Sequence, residues 1–203
     1  MLHPFGIQTI VITYPEYISN TWRAFYNSTI PELTKFKNPL GFDFMETVMS
    51  QADANQQFVM LGTGRGSDPT LTYDGCKDAK RLAAARSLSG KIIRELHAKY
   101  VKRHHCFSGW YITHECRDIQ YASPYYDFVA DLCHALTPGK PVMIAPDGSP
   151  VADAETIAAS HVDIFAYQDA VGAGFVPAPM ERYSFDPEQR LSRLDSIFSR
   201  YAT

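Results

Sequence analysis

Five short apolar runs, separated mostly by stretches of helical periodicity, constrain this chain more than any other feature. They are Gly6 to Thr13, Phe58 to Gly62, Phe107 to Ile112, Pro141 to Ala145 and Val162 to Tyr167, each 5–8 residues long. Several are almost continuously apolar, which suits parallel strands covered on both faces. Between them, Phe44, Met45, Val48 and Met49 recur at helical spacing over residues 42–51. Residues 74–100 carry Leu82, Ala85, Leu88, Ile92, Ile93, Leu96 and Tyr100 on one stripe. Residues 124–135 bring Phe128, Val129 and Leu132 together, a short helix is expected over 153–159 with Asp153 as cap, and a last one over 186–201 opens on Asp-Pro-Glu. Strands alternating with helices give a parallel sheet joined by right-handed crossovers. The pattern fits an open doubly wound sheet or part of an eight-stranded barrel, and periodicity alone does not choose.

The totals set outer bounds. At 203 residues, 45% hydrophobic and 20% charged, the chain can bury a core without staples, and a single domain over 1–203 is expected. The net charge is −3 and the densest basic run is Lys102-Arg103-His104-His105, which reads as a solvated helix end and excludes nucleic acid as the main partner. No segment reaches the roughly 20 apolar residues of a membrane helix. Met-Leu-His-Pro-Phe-Gly lacks the charged start and cleavage site of a signal peptide, so the sequence as given reads as cytoplasmic, and as periplasmic or secreted if an N-terminal segment precedes it. The four cysteines, 76, 106, 116 and 133, form no CxxC pair and read as reduced thiols. Neither metal nor cofactor is expected.

Chemistry is expected where strands hand over to loops, because that edge of a parallel α/β sheet faces the ligand. Trp110-Tyr111-Ile112-Thr113-His114-Glu115 ends an apolar strand in an acid. A carboxyl beside Trp110 and Tyr111 would lose hydration, as a general acid requires. The plainer reading is a surface glutamate paired with Arg117 or capping a helix. Gln168 and Asp169 end another strand before Gly172, where they suit hydroxyl recognition or, more plainly, order the loop. Asp147 follows a strand within a Pro-Asp-Gly turn, Arg65 stands at a strand end, and Tyr14 belongs to a set of tyrosines, with 17, 73, 111, 125 and 126, that suit stacking on sugar rings or simply the core. The run Gly62-Thr63-Gly64-Arg65-Gly66-Ser67 fails the dinucleotide pattern at Ser67.

Three of these segments carry a resemblance: Phe107 to Glu115, Lys140 to Pro146, and Val162 to Gly172. Together they resemble the bacterial family called domain of unknown function 4434, a glycoside-hydrolase-like (β/α)8 TIM barrel. They look like its fourth, fifth and sixth strands, with 6–13 and 58–62 like the second and third. About five parallel βα units are recognisable; a first strand before Gly6 and the last two after Phe175 are not, so a partial barrel is expected. Its open edges would favour a homo-oligomer. The resemblance implies a glycoside hydrolase acting on a polysaccharide or oligosaccharide, with Glu115 as general acid/base. Asp169 would be the second catalytic carboxylate, and Tyr14, Arg65, Trp110, His114, Asp147 and Gln168 would contact the sugar. The alternative is a non-catalytic carbohydrate-binding domain of the same fold, and a nucleotide site at Gly62 to Gly66 is a weaker third reading.

Overall fold

The structure, a computed structural model, describes residues 6–18, 22–34, 38, 40–64, 75–116, 119–146 and 154–166, with positions 191, 192, 195, 196 and 199 of the last helix. In chain order the elements are β1 (Thr9–Ile12), β2 (Glu16–Ile18), β3 (Trp22–Ala24), α1 (Phe44–Ala54), β4 (Phe58–Gly62), α2 (Ala79–Leu96), β5 (Phe107–Ile112), α3 (Ile119–Leu136), β6 (Val142–Ile144), α4 (Ala154–Ala158) and β7 (Ile164–Phe165).

All five apolar runs form strands, and they lie in one sheet in the order β1-β4-β5-β6-β7, every neighbouring pair parallel. Each strand therefore pairs with the next one of the sheet along the chain. A doubly wound sheet reverses direction at a switch point, whereas a (β/α)8 barrel advances without reversal. The choice that periodicity left open falls to the barrel-like architecture, with five parallel strands described.

The helices cover the strands with the faces their sequences predict. On α2, Ala85, Leu88, Ile92, Ile93 and Leu96 are buried, and Tyr100, in the π-helical turn His97–Val101 that extends it, is buried too. They meet Met45, Met49 and Ala52 of α1, Val59 and Leu61 of β4, and Val129, Ala130 and Cys133 of α3 in one core. Each fully buried Leu, Ile or Met contributes about 1.5–3 kcal/mol. Helix starts follow their caps: Asp43 accepts from the Glu46 amide, and Asp78 accepts from the amides of Lys80 and Arg81.

The structure adds a hairpin, lengthens one helix and shifts one register. Residues 14–41 show no strand period in the sequence, but β2 and β3 form an antiparallel hairpin there. Helix α3 begins at Ile119, with Pro124 inside it rather than at its start. Between β4 and β5 the register steps from Val59 opposite Phe107 to Met60 opposite Gly109, leaving Ser108 as an extra residue. The cap residue Asp153 and the Asp-Pro-Glu start of the last helix lie outside the described residues.

Candidate active site at the strand C-termini

The ends of β1, β4 and β5 are tied by neutral groups. The Thr113 hydroxyl donates to the Thr13 carbonyl at 2.8 Å and accepts from the Gly64 amide at 3.1 Å, while the Thr63 amide donates to the Tyr111 carbonyl at 2.9 Å. Ser89 of α2 donates to the Gly64 carbonyl at 3.2 Å, and its hydroxyl lies 2.9 Å from that of Tyr125. The glycines of this edge serve packing. A Cβ on Gly62 would lie 2.2 Å from the Thr13 carbonyl oxygen, and Gly64 has φ +82 with Ile92 Cδ1 2.5 Å from a Cβ position. Those contacts account for Gly62 and Gly64 without a nucleotide.

On this floor stands Glu115. It is half-buried, and its Oε1 accepts a 2.8 Å hydrogen bond from the Tyr111 hydroxyl. Tyr111 is itself 4% exposed. Burial, then the charge of Glu115 and the hydrogen bond to it, and lastly Tyr14, hold its phenol well above the ordinary value, so it remains a donor. The backbone on either side of Glu115 is also fixed. The Tyr126 hydroxyl of α3 donates to the His114 carbonyl at 3.0 Å and accepts from the Cys116 amide at 2.9 Å. A single buried phenol thus brackets residue 115, and a carboxylate held from both backbone sides and at one oxygen is oriented rather than free to rotate.

Among the predicted contact residues, Tyr14 is 37% exposed at the end of β1, beside the Tyr111–Glu115 pair. Trp110 and His114 are placed otherwise. The Trp110 side chain is fully buried, with its indole N–H donating to Thr137 at 2.9 Å and its ring edge-on to Phe107 at 5.2 Å. It is core beneath the end of α3, because the pleat turns it away from the side that Tyr111 faces. His114, 1% exposed, packs edge-on against Tyr125 of α3 at 4.9 Å and likewise belongs to the helix layer. Arg65, Asp147, Gln168 and Asp169 lie outside the described residues, as does Arg117.

Two residues were missed by sequence reasoning. Tyr126 carried only the generic signal of an abundant tyrosine. Glu16, in β2, is completely buried, and its Oε1 would lie 3.2 Å from a Cβ on Gly64, so a second carboxylate abuts this edge. Its sequence, Tyr14-Pro15-Glu16-Tyr17-Ile18, gives no period to mark it. A separate cavity of about 740 Å³ lies between β1 and α1, lined by Val11, Tyr14, Phe44 and Val48 among others; Glu115 is not part of it.

A family model described as Domain of unknown function (DUF4434) matches residues 1–184. Among solved structures, the chain is similar to a candidate alpha-L-fucosidase from Bacteroides thetaiotaomicron, at TM-score 0.61 and 19% identity, over 83% of this chain and 55% of that one. It is also similar to a beta-glucuronidase from an uncultured Clostridium (TM-score 0.56, 15% identity, 77% of this chain, 25% of that one). A third is a beta-D-glucuronidase from Dictyoglomus thermophilum (TM-score 0.52, 16% identity, 97% of this chain, 29% of that one). The chain thus spans between a quarter and just over half of these neighbours. No curated protein matches it. At these identities the likeness carries the fold, which is the glycoside-hydrolase type of barrel.

Proposed function

This chain belongs to the DUF4434 family and has a glycoside-hydrolase-like fold, and from that premise we propose that it hydrolyses glycosidic bonds, with Glu115 as general acid/base at the C-terminal edge of the sheet. The observation that carries the reading is the orientation of Glu115: half-buried, bonded at one oxygen by Tyr111, its backbone bracketed by Tyr126. A barrel glycosidase needs a carboxyl at that edge to protonate the leaving oxygen and later to activate water. Tyr14 and Tyr111 would border the sugar. Asp169 is proposed as the second carboxylate, with Asp147, Gln168 and Arg65 as further contacts from neighbouring strand ends.

The test is hydrolysis of an aryl-glycoside panel that includes fucosides and glucuronides, alongside polysaccharides, by the wild type and Glu115→Gln. General acid–base catalysis is worth about 10²–10⁴-fold, so Glu115→Gln should lose that much in kcat while calorimetric affinity for the same sugar persists. Undiminished turnover in the variant would remove Glu115 from the chemistry. Sugar binding without turnover in the wild type would make the chain a carbohydrate-binding domain instead.

A further inference from the structure

At the opposite end of the sheet, where strands begin, Asp53 from the last turn of α1 meets His104 and Cys106 from the turn entering β5. One ligand atom from each lies within 4.8 Å of the others. Asp53 divides its two oxygens: Oδ1 accepts the Cys106 amide at 2.6 Å, and Oδ2 faces His104 Nδ1 at 2.7 Å. The Cys106 thiol is buried and turned toward the Met49 carbonyl at 3.4 Å. On the far side of the imidazole, buried Nε2 makes no hydrogen bond among the described residues, and Glu46 Oε1 stands 3.5 Å from it.

We propose that Asp53 Oδ2, His104 Nδ1 and Cys106 Sγ form a site for a divalent transition-metal ion of the zinc class, with Glu46 as the outer partner of the histidine. The donor set is mixed O, N and S, which suits a borderline-soft ion rather than calcium or magnesium. Tetrahedral zinc with bonds of about 2.0–2.3 Å places its ligands within about 4 Å of one another, a spread these three atoms reach by small side-chain shifts. Oδ1 stays on the Cys106 amide, so the carboxylate is already oriented. A metal on Nδ1 puts the ring proton on Nε2, facing Glu46, which is the carboxylate–histidine–metal relay common in zinc proteins. Binding exchanges the thiol proton for the metal: the S–H bond breaks, the metal–sulfur bond forms, and the proton leaves to water. A fourth position remains for water. The inference is independent of the glycosidase reading.

The experiment uses the full chain freed of metal by a chelator and loaded with Zn²⁺ or Co²⁺. The expected result is one equivalent bound, a raised Tm, and a thiolate-to-cobalt charge-transfer band that disappears in Cys106→Ser. Glu46→Gln, at a half-exposed position, should weaken zinc about tenfold. Absence of the band in the wild type, its persistence in Cys106→Ser, or zinc affinity unmoved by Glu46→Gln overturns the proposal. If Cys106→Ser does not fold, His104→Gln takes its place with the same expected loss of metal.

Discussion

Trp110→Ala separates the two places that the indole at the end of β5 can occupy. In the structure the side chain is fully buried, packed on Phe107, with its N–H spent on Thr137. Truncating a buried Trp costs about 3–5 kcal/mol. Thr137 keeps its own 2.8 Å hydrogen bond to the Cys133 carbonyl, so it loses an incoming donor only, and the cost stays near the middle of that range. With a urea slope of about 3 kcal/mol/M, a loss of about 4 kcal/mol lowers the unfolding midpoint by about 1.3 M. Trp110→Phe keeps an aromatic ring but not the hydrogen bond, and a loss of about 1–2 kcal/mol follows from the missing donor and the smaller volume. Far-ultraviolet circular dichroism reads both transitions without relying on the deleted fluorophore. A midpoint lowered by less than about 0.3 M in Trp110→Ala, together with weakened sugar binding, would put the indole in the mouth and refute this placement.

Two further perturbations read other parts of the same frame. Glu95 of α2 accepts from Tyr26, Ser28 and Thr29; burial raises its carboxyl, but those hydrogen bonds outweigh it and hold it below 4.5. A depressed carboxyl adds stability above the unfolded value that is lost as pH falls through the folded one. The unfolding free energy of Glu95→Gln from urea titrations should therefore be lower by about 2 kcal/mol at neutral pH and vary less with pH in the acid range, and pH profiles parallel to the wild type would contradict this. Gly64→Ala forces a side chain onto φ +82 and into Ile92, whereas Gly139→Ala meets a similar φ of +78 with nothing within 4 Å. Both incur the left-handed backbone cost of about 1–2 kcal/mol, so Gly64→Ala should show the larger drop in Tm, and equal drops would mean that Ile92 yields without cost.

The sheet was legible because each of its strands lies in a short, mostly apolar run, and the α2 stripe because seven positions repeat at helical spacing. The hairpin was not. Glu16–Ile18 and Trp22–Ala24 are three residues each, too short to show a period of two, and the first begins with a charge that is buried. Pro124 suggested a helix start, although α3 already runs from Ile119. Through the resemblance Trp110 was expected to contact the sugar, but on a strand the face decides, and Tyr111 has the other face. Glu115 could be found from its position at a strand end. Its partner Tyr126 could not, since the contact depends on how α3 folds back over the loop.

The two ends of the sheet are held by different chemistry, and the difference bears on which end can act. Where strands begin, His104 faces Asp53 at 2.7 Å, His134 faces Asp163 at 2.8 Å, and His161 faces Asp131 at 2.7 Å, so carboxylates there are paired with imidazoles. Asp163 also accepts the Val142 amide, and although burial raises its carboxyl, these bonds bring it below its ordinary value. Where strands end, the hydrogen bonds described run through the hydroxyls of Thr63, Thr113, Ser89, Tyr125 and Tyr126, with the buried Glu16 carboxylate against Gly64. Hydroxyls donate and accept without carrying charge, so they satisfy loop backbone and orient a carboxylate without binding a cation to it. Glu115 makes no ion pair with any other described residue, and its bond from Tyr111 is a neutral donor's. Among the described residues no cation holds Glu115, which leaves its carboxyl able to exchange a proton at a substrate oxygen, as the proposed role requires. That asymmetry, rather than the presence of a glutamate at a strand end, is what directs the search for turnover to residue 115.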